Sequence, residues 1–188
     1  MSKQPWDYKP KRTGLSNQMD PLGQKVKKKG KSFIMTKPSM AKHLLSRIDF
    51  QPEDIICDPG KGDGAFFNNF PKDNPKVWFE INDGKDYLGD EIIKVDYTIS
   101  NPPFVPRKLF WGFMVRAMET TKKKIYWLLN LQSMNVFTPR RLQEMKDKGW
   151  FITSQYIVAD KRWYGRYAFV EIGKSDVGYY NWCSQGSF

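Results

Sequence analysis

Two short stretches hold residue types and spacings that could do chemistry. In "DPGKGDG" (Asp58–Gly64), an acid and three glycines follow the apolar "DIIC" and precede the apolar "AFF". Glycines let a backbone pass close to a ligand, and a helix start beyond them would offer free N–H groups, an arrangement suited to a carboxylate or a nucleotide. The pattern is neither GxGxxG nor GxxxxGK[ST], which weakens dinucleotide and triphosphate readings. In "YTISNPPFVP" (Tyr97–Pro106), four strand-favouring residues run into Asn101-Pro102-Pro103-Phe104. Two consecutive prolines donate no backbone hydrogen bonds and force the chain out of a ladder.

An acid supports the glycine loop. Glu80 closes the apolar "KVWFEIND" (Lys76–Asp83) about 20 residues further on, where a carboxylate at a strand end can accept from both hydroxyls of a ribose. In "GKDYLGD", Asp86 is placed to accept from an exocyclic adenine amine, and Tyr87 and Leu88 could pack on a ring; Asp90 and Asp96 are rival acids nearby.

The elements that must position these residues follow from periodicity. "TKPSMAKHLLSRI" (Thr36–Ile48) predicts a helix with Pro38 early and Met40, Leu44, Leu45 and Ile48 on one face. Its His43 is the only histidine, and it suits packing or surface rather than catalysis. Strands are predicted at "DIIC", "KVWFEIND" and "YTIS", and helices at the "AFF" start, at Lys108–Thr121 and at Pro139–Gly149. "KKIYWLLNL" is the continuous apolar run of a buried parallel strand. Phe151–Asp160 and Tyr167–Lys174 also predict strands, and only "KRWYGR" lies between them. A parallel crossover needs a dozen or more residues, so this pair should be an antiparallel hairpin. The expected architecture is α/β, a doubly wound, mostly parallel Rossmann-like sheet closed by a C-terminal antiparallel hairpin.

Charge divides the chain. The 188 residues carry a net +11. Residues 1–32 hold nine Lys/Arg against Asp7 and Asp20, a balance of +7, which leaves +4 for the rest. Residues 1–32 are expected to form a basic arm, disordered in isolation. Within it "KVKKKGK" (Lys25–Lys31), Lys28 included, could contact phosphates or serve as a solubilising or localisation tail. "KRWYGRY" interleaves Lys161, Arg162, Trp163, Tyr164 and Arg166, a mixture suited to single-stranded or flipped nucleic acid and equally to an ordinary basic loop. Lys122–Lys124 and Arg140-Arg141 read as solvated helix ends. Cys57 and Cys183 match no zinc or CxxC spacing, no metal site is evident, and a reducing, intracellular setting fits. No run approaches a membrane span.

Taken together these pieces resemble the class I S-adenosylmethionine-dependent methyltransferases, and more closely the amino-methyltransferases of adenine N6. "FIMTKPSMAKHLL" is similar to the family's F-x-T-P segment with Lys37 inserted. "DPGKGDGAFF" is similar to its DPxxGxGxF loop, "FEIND" to its acidic strand end, and "NPPF" to its [DNS]PP[YFW] tetrapeptide. The resemblance spans residues 33–176 as a catalytic domain, with 177–188 as a tail. It implies S-adenosyl-L-methionine as cofactor. Phe33, Thr36, Asp58, Pro59, Gly60, Gly62 and Gly64 would hold the methionine portion, Glu80 with Ile81 the ribose, and Asp86 and Tyr87 the adenine.

The same resemblance assigns catalysis to Asn101, Pro102, Pro103 and Phe104. An exocyclic amine is a poor nucleophile because its lone pair is delocalised into the ring. The Asn101 oxygen and the Pro102 carbonyl would accept its two protons, Pro103 would fix the corner, and Phe104 would stack on the base. The family's target-recognition domain has no counterpart, so target selection would fall to the basic arm, to surface loops or to a partner protein. The expected substrate is nucleic acid, DNA slightly ahead of RNA. A protein-glutamine methyltransferase and a non-catalytic nucleic-acid-binding subunit remain alternatives.

Overall fold

The structure, a computed structural model, describes residues 35–91, 93–160 and 166–179. Helix α1 (Pro38–Leu45) starts at a proline whose missing N–H costs nothing there, and it buries Ala41, Leu44 and Leu45. Strands β1 (Ile56–Asp58), β2 (Lys76–Trp78) and β3 (Val95–Ser100) follow, then helix α2 (Arg107–Thr120) and strand β4 (Thr121–Asn130). Helix α3 (Pro139–Asp147) and strands β5 (Phe151–Val158) and β6 (Tyr167–Gly173) complete the order.

One six-stranded sheet runs β2-β1-β3-β4-β6-β5. The first four strands in this order are parallel, and β6 lies antiparallel to both β4 and β5. The fold class is therefore the one expected. From β1 the chain steps outward to β2 and then returns across β1 to β3. That reversal opens a crevice at the carboxyl ends of β1 and β3, the place where such sheets bind ligands.

Both sheet faces are apolar, which explains the unbroken hydrophobic run of β4. Ile125, Trp127 and Leu129 join Val170 and Ile172 under α2 and α3, which supply Phe110, Met114, Leu142 and Met145. Tyr126 and Leu128 point the other way and join Ile56, Ile99 and Phe169 beneath Leu44 and Leu45 of α1. Trp150 anchors the β5 entry to α2, its indole N–H donating to the Met118 carbonyl at 3.1 Å.

The helix expected after the glycine loop is reduced to a 3-10 turn, Phe67–Asn69. Gly64 enters it at a left-handed φ of +84°, and Phe66 and Phe70 are both buried, so the segment turns in place and does not extend along the sheet. Lys122–Lys124 are likewise not a solvated helix end. They open β4, where Lys122 pairs with Asp96, Lys123 with Asp54, and Lys124 with Glu171.

Gly149 terminates α3 at φ +71°, and its N–H donates to the Lys146 carbonyl at 2.8 Å. A Cβ added there would meet nothing within 4 Å. Gly149→Ala therefore costs only the left-handed strain of an L-residue, about 1 kcal/mol, read as a lowered urea midpoint with an unchanged m value.

Candidate functional site

The functional stretches found in the sequence converge at the carboxyl edge of β1 and β3. Asp58 ends β1 and Ser100 ends β3, and both are buried. The Ser100 hydroxyl donates to Asp58 Oδ1 at 2.7 Å, and the Gly60 N–H donates to the same oxygen at 3.2 Å. Burial pushes the Asp58 carboxyl up to about 6, against the downward pull of these two hydrogen bonds. Ser100 thus splices the glycine loop to the strand that leads into Asn101. Its signal in the sequence is only its place as the last residue before NPPF.

Beyond Asp58 the loop is held by backbone contacts. The Lys61 N–H donates to the Phe79 carbonyl at 3.0 Å, and the Gly64 N–H to the Lys61 carbonyl at 2.8 Å. Gly62 adopts φ +51°, a conformation L side chains resist, and its N–H donates to Glu80 Oε2 at 2.9 Å. Glu80 Oε1 accepts from the backbone N–H and the side-chain amide of Asn82, at 3.1 and 2.7 Å. These three donors leave further lone pairs on the carboxylate. Ile81 beside it is 58% exposed, an apolar side chain at the mouth of the crevice. Lys61 and Lys85 stand over the Trp78 ring, with ammonium groups 3.9 and 3.7 Å from its centroid.

Asn101 lies where the crevice meets the N-terminal segment. Its Nδ2 donates to the Thr36 hydroxyl at 3.1 Å, and Thr36 is only 6% exposed. Asn101 Oδ1 is enclosed and has no hydrogen-bond partner, the one such side-chain atom among the described residues. Pro102 is buried, and Pro103 and Phe104 are half-buried. Phe104 packs against the α2–α3 core, so it can offer a ligand only the part of its ring left open. Lys37, the inserted residue, reaches Asp160 at 3.3 Å and fastens the segment bearing Thr36 to the end of the β5 region.

Two of the residues expected at a cofactor's adenine lie elsewhere. Tyr87 is 4% exposed, packed between Phe79 and Phe113, with its hydroxyl 3.4 Å from Thr120 Oγ1. The aromatic ring was better used in the core beneath β1 and β2 than in the crevice. Asp86 is consumed by its own turn, where Oδ1 accepts the Leu88 N–H at 2.9 Å. Arg166 is exposed, and its carbonyl accepts the Leu131 N–H at 2.9 Å. Lys28, Phe33, Lys161, Arg162, Trp163 and Tyr164 lie outside the described residues. His43 is on the surface, its ring nitrogen 3.2 Å from the Tyr156 hydroxyl.

The donor set suits a nucleoside-bearing cofactor. It combines a carboxylate with spare acceptor capacity, an exposed apolar side chain beside it, and a glycine loop at the topological switch point. No family model matches the sequence, and no curated protein matches it. Solved structures do share the fold. A proposed RNA methyltransferase from Pyrococcus horikoshii superposes with a TM-score of 0.54 at 16% identity, over 73% of this chain and 83% of that one. Magnesium protoporphyrin IX methyltransferase from Synechocystis, solved with bound S-adenosylmethionine, gives 0.56 at 11% identity over 73% and 78%. The E. cuniculi Mtq2–Trm112 complex, described as methylating the termination factor eRF1, gives 0.52 at 17% identity over 72% and 92%. The architecture is thus that of the class I methyltransferases.

The raised Asp58 carboxyl has a testable sign. Its folded value of about 6 exceeds the ordinary 3.8, so its contribution to stability is complete below about pH 4 and is lost as pH rises toward 6. The difference in unfolding free energy between wild type and Asp58→Asn should fall by up to about 3 kcal/mol from pH 4 to pH 7, measured by urea denaturation across that range. A pH-independent difference would show that Asp58 titrates normally.

Proposed function

We propose that the protein transfers a methyl group from S-adenosyl-L-methionine to the exocyclic N6 amine of adenine in nucleic acid. The observation that carries this reading is the Asn101 amide, whose nitrogen is held by Thr36 while its enclosed oxygen has no partner. An unpaired buried acceptor costs about 1–3 kcal/mol, a cost relieved when an N–H donor enters. An exocyclic amine is such a donor.

S-adenosylmethionine would be held by the Asp58–Gly64 loop and Glu80 with Ile81, and it supplies an electrophilic methyl group. The remaining chemistry belongs to the chain. Asn101 Oδ1 and the Pro102 carbonyl accept the two amine protons, which draws the nitrogen lone pair out of the ring and stabilises the positive charge that grows on nitrogen. The two prolines fix the direction of that carbonyl before the base arrives, so no reorganisation is needed at reaction. The open part of Phe104 stacks on the base. No covalent intermediate is required, since the amine itself attacks the methyl carbon. The net charge of +11 favours a polyanionic substrate.

A second reading, methyl transfer to a side-chain amide of a protein, draws on the same Asn101 geometry and on the fold shared with Mtq2–Trm112 over 92% of that chain. The basic charge weighs against it.

Asn101→Ala should lower methyl transfer by about 10²–10³-fold or more while calorimetric affinity for S-adenosylmethionine stays within a few-fold of wild type. Full activity in this variant would overturn the proposal. Equal loss of cofactor affinity would move Asn101 from the amine to the cofactor.

A further inference from the structure

Four cations outside the glycine loop and the NPPF corner share the edge of the sheet where that corner lies. Arg107 and Lys108 form the first turn of α2, directly after NPPF, and both are exposed. Arg140 and Arg141 form the first turn of α3. The two helices bring these turns together, because the Arg141 guanidinium lies 4.8 Å from the centroid of the Trp111 ring. Trp111 is one helical turn beyond Arg107 on the same face of α2. Arg141 is also fixed by donating Nη1–H to the Val136 carbonyl at 3.0 Å.

This cluster runs against ordinary helix electrostatics. Neither first turn contains an acid, and the N-cap residues, Pro106 and Thr138, make no side-chain cap. Cations there face the positive ends of two helix dipoles, at a cost of a few tenths to about 1 kcal/mol each. They also repel one another: Arg107 and Arg140 both act to lower the Arg141 pKa, adding to the effect of burial. Among the described residues no carboxylate forms an ion pair with any of the four. The lysines at the opposite edge differ, since Lys122, Lys123 and Lys124 are each paired with an acid. Positive charge is neutralised where it is remote from the crevice and left open beside it. Val105, between NPPF and these turns, is 84% exposed.

We propose that Arg107, Lys108, Arg140 and Arg141 form a phosphate-binding rim that grips the nucleic-acid backbone next to the base presented to Asn101. The assignment rests on the nucleic-acid reading of the site and adds the surface that would hold the strand. It also bears on how a chain with no counterpart of a target-recognition domain could engage its substrate. Positioning would come from backbone contacts at the rim, which carry no sequence information of their own.

Binding of a fluorescently labelled, adenine-containing single-stranded DNA to the full chain, followed by anisotropy across a salt series, tests this. Arg107→Gln/Arg140→Gln is compared with Lys122→Gln/Lys148→Gln, which removes the same charge at the opposite edge. The rim pair should weaken binding about tenfold at 0.1 M salt and reduce the slope of log K against log salt by about 1.4, at about 0.7 per phosphate contact. Arg107→Gln alone should give about half that slope change, and the control pair should stay within about twofold of wild type. Equal losses from both pairs, or no loss from the rim pair, would overturn the proposal. The readout is binding, so failure of the wild type to methylate nucleic acid would count against the proposed function separately.

Discussion

The site depends on one hydrogen bond, from Asn101 Nδ2 to the buried Thr36 hydroxyl at 3.1 Å. A free amide would turn its oxygen toward any donor within reach. With the nitrogen tethered, the oxygen is left enclosed and unpaired. The tether joins the segment before α1 to the end of β3, which is why Thr36 and Asn101, 65 positions apart, act together. Lys37 strengthens the same junction through Asp160. An inserted residue that breaks a familiar pattern thus has a structural use of its own.

Everything else at the crevice keeps that amide in place. Ser100 binds Asp58, Gly60 binds Asp58, and Gly62 binds Glu80, so the ends of β1 and β3 and the turn after β2 are linked through three polar contacts. The sheet makes the arrangement possible by reversing direction between β1 and β3. A buried carboxyl at the centre carries a desolvation cost, visible in its raised pKa. Its hydrogen bonds offset part of that cost and give the loop its shape.

Much of this was legible in the sequence because local rules and tertiary needs agreed. Alternating strands and helices, the six-residue gap before Tyr167 and the proline corner at Asn101 each admit few structures. The glycine loop and Glu80 meet through Gly62, as their order along the chain suggested. Legibility failed where the core competed with the site. Tyr87 looks like a platform for a ring, yet its 4% exposure places it among Phe79 and Phe113. Asp86 looks like an acceptor for a ligand, yet the turn at Leu88 takes it. The pairing of Lys122–Lys124 with acids from three different elements, and the meeting of Arg107 with Arg141, depend on contacts between distant segments. Hydrophobic periodicity carries no record of such contacts.

The central claim is that the enclosed Asn101 oxygen receives an adenine amine. Its most direct test is mass spectrometry of nucleosides and of tryptic peptides after incubation of DNA, RNA and protein substrates with methyl-labelled S-adenosylmethionine. The account predicts label in N6-methyladenine and none in peptides. Label confined to a glutamine-bearing peptide, or to a nucleoside other than adenine, would contradict it.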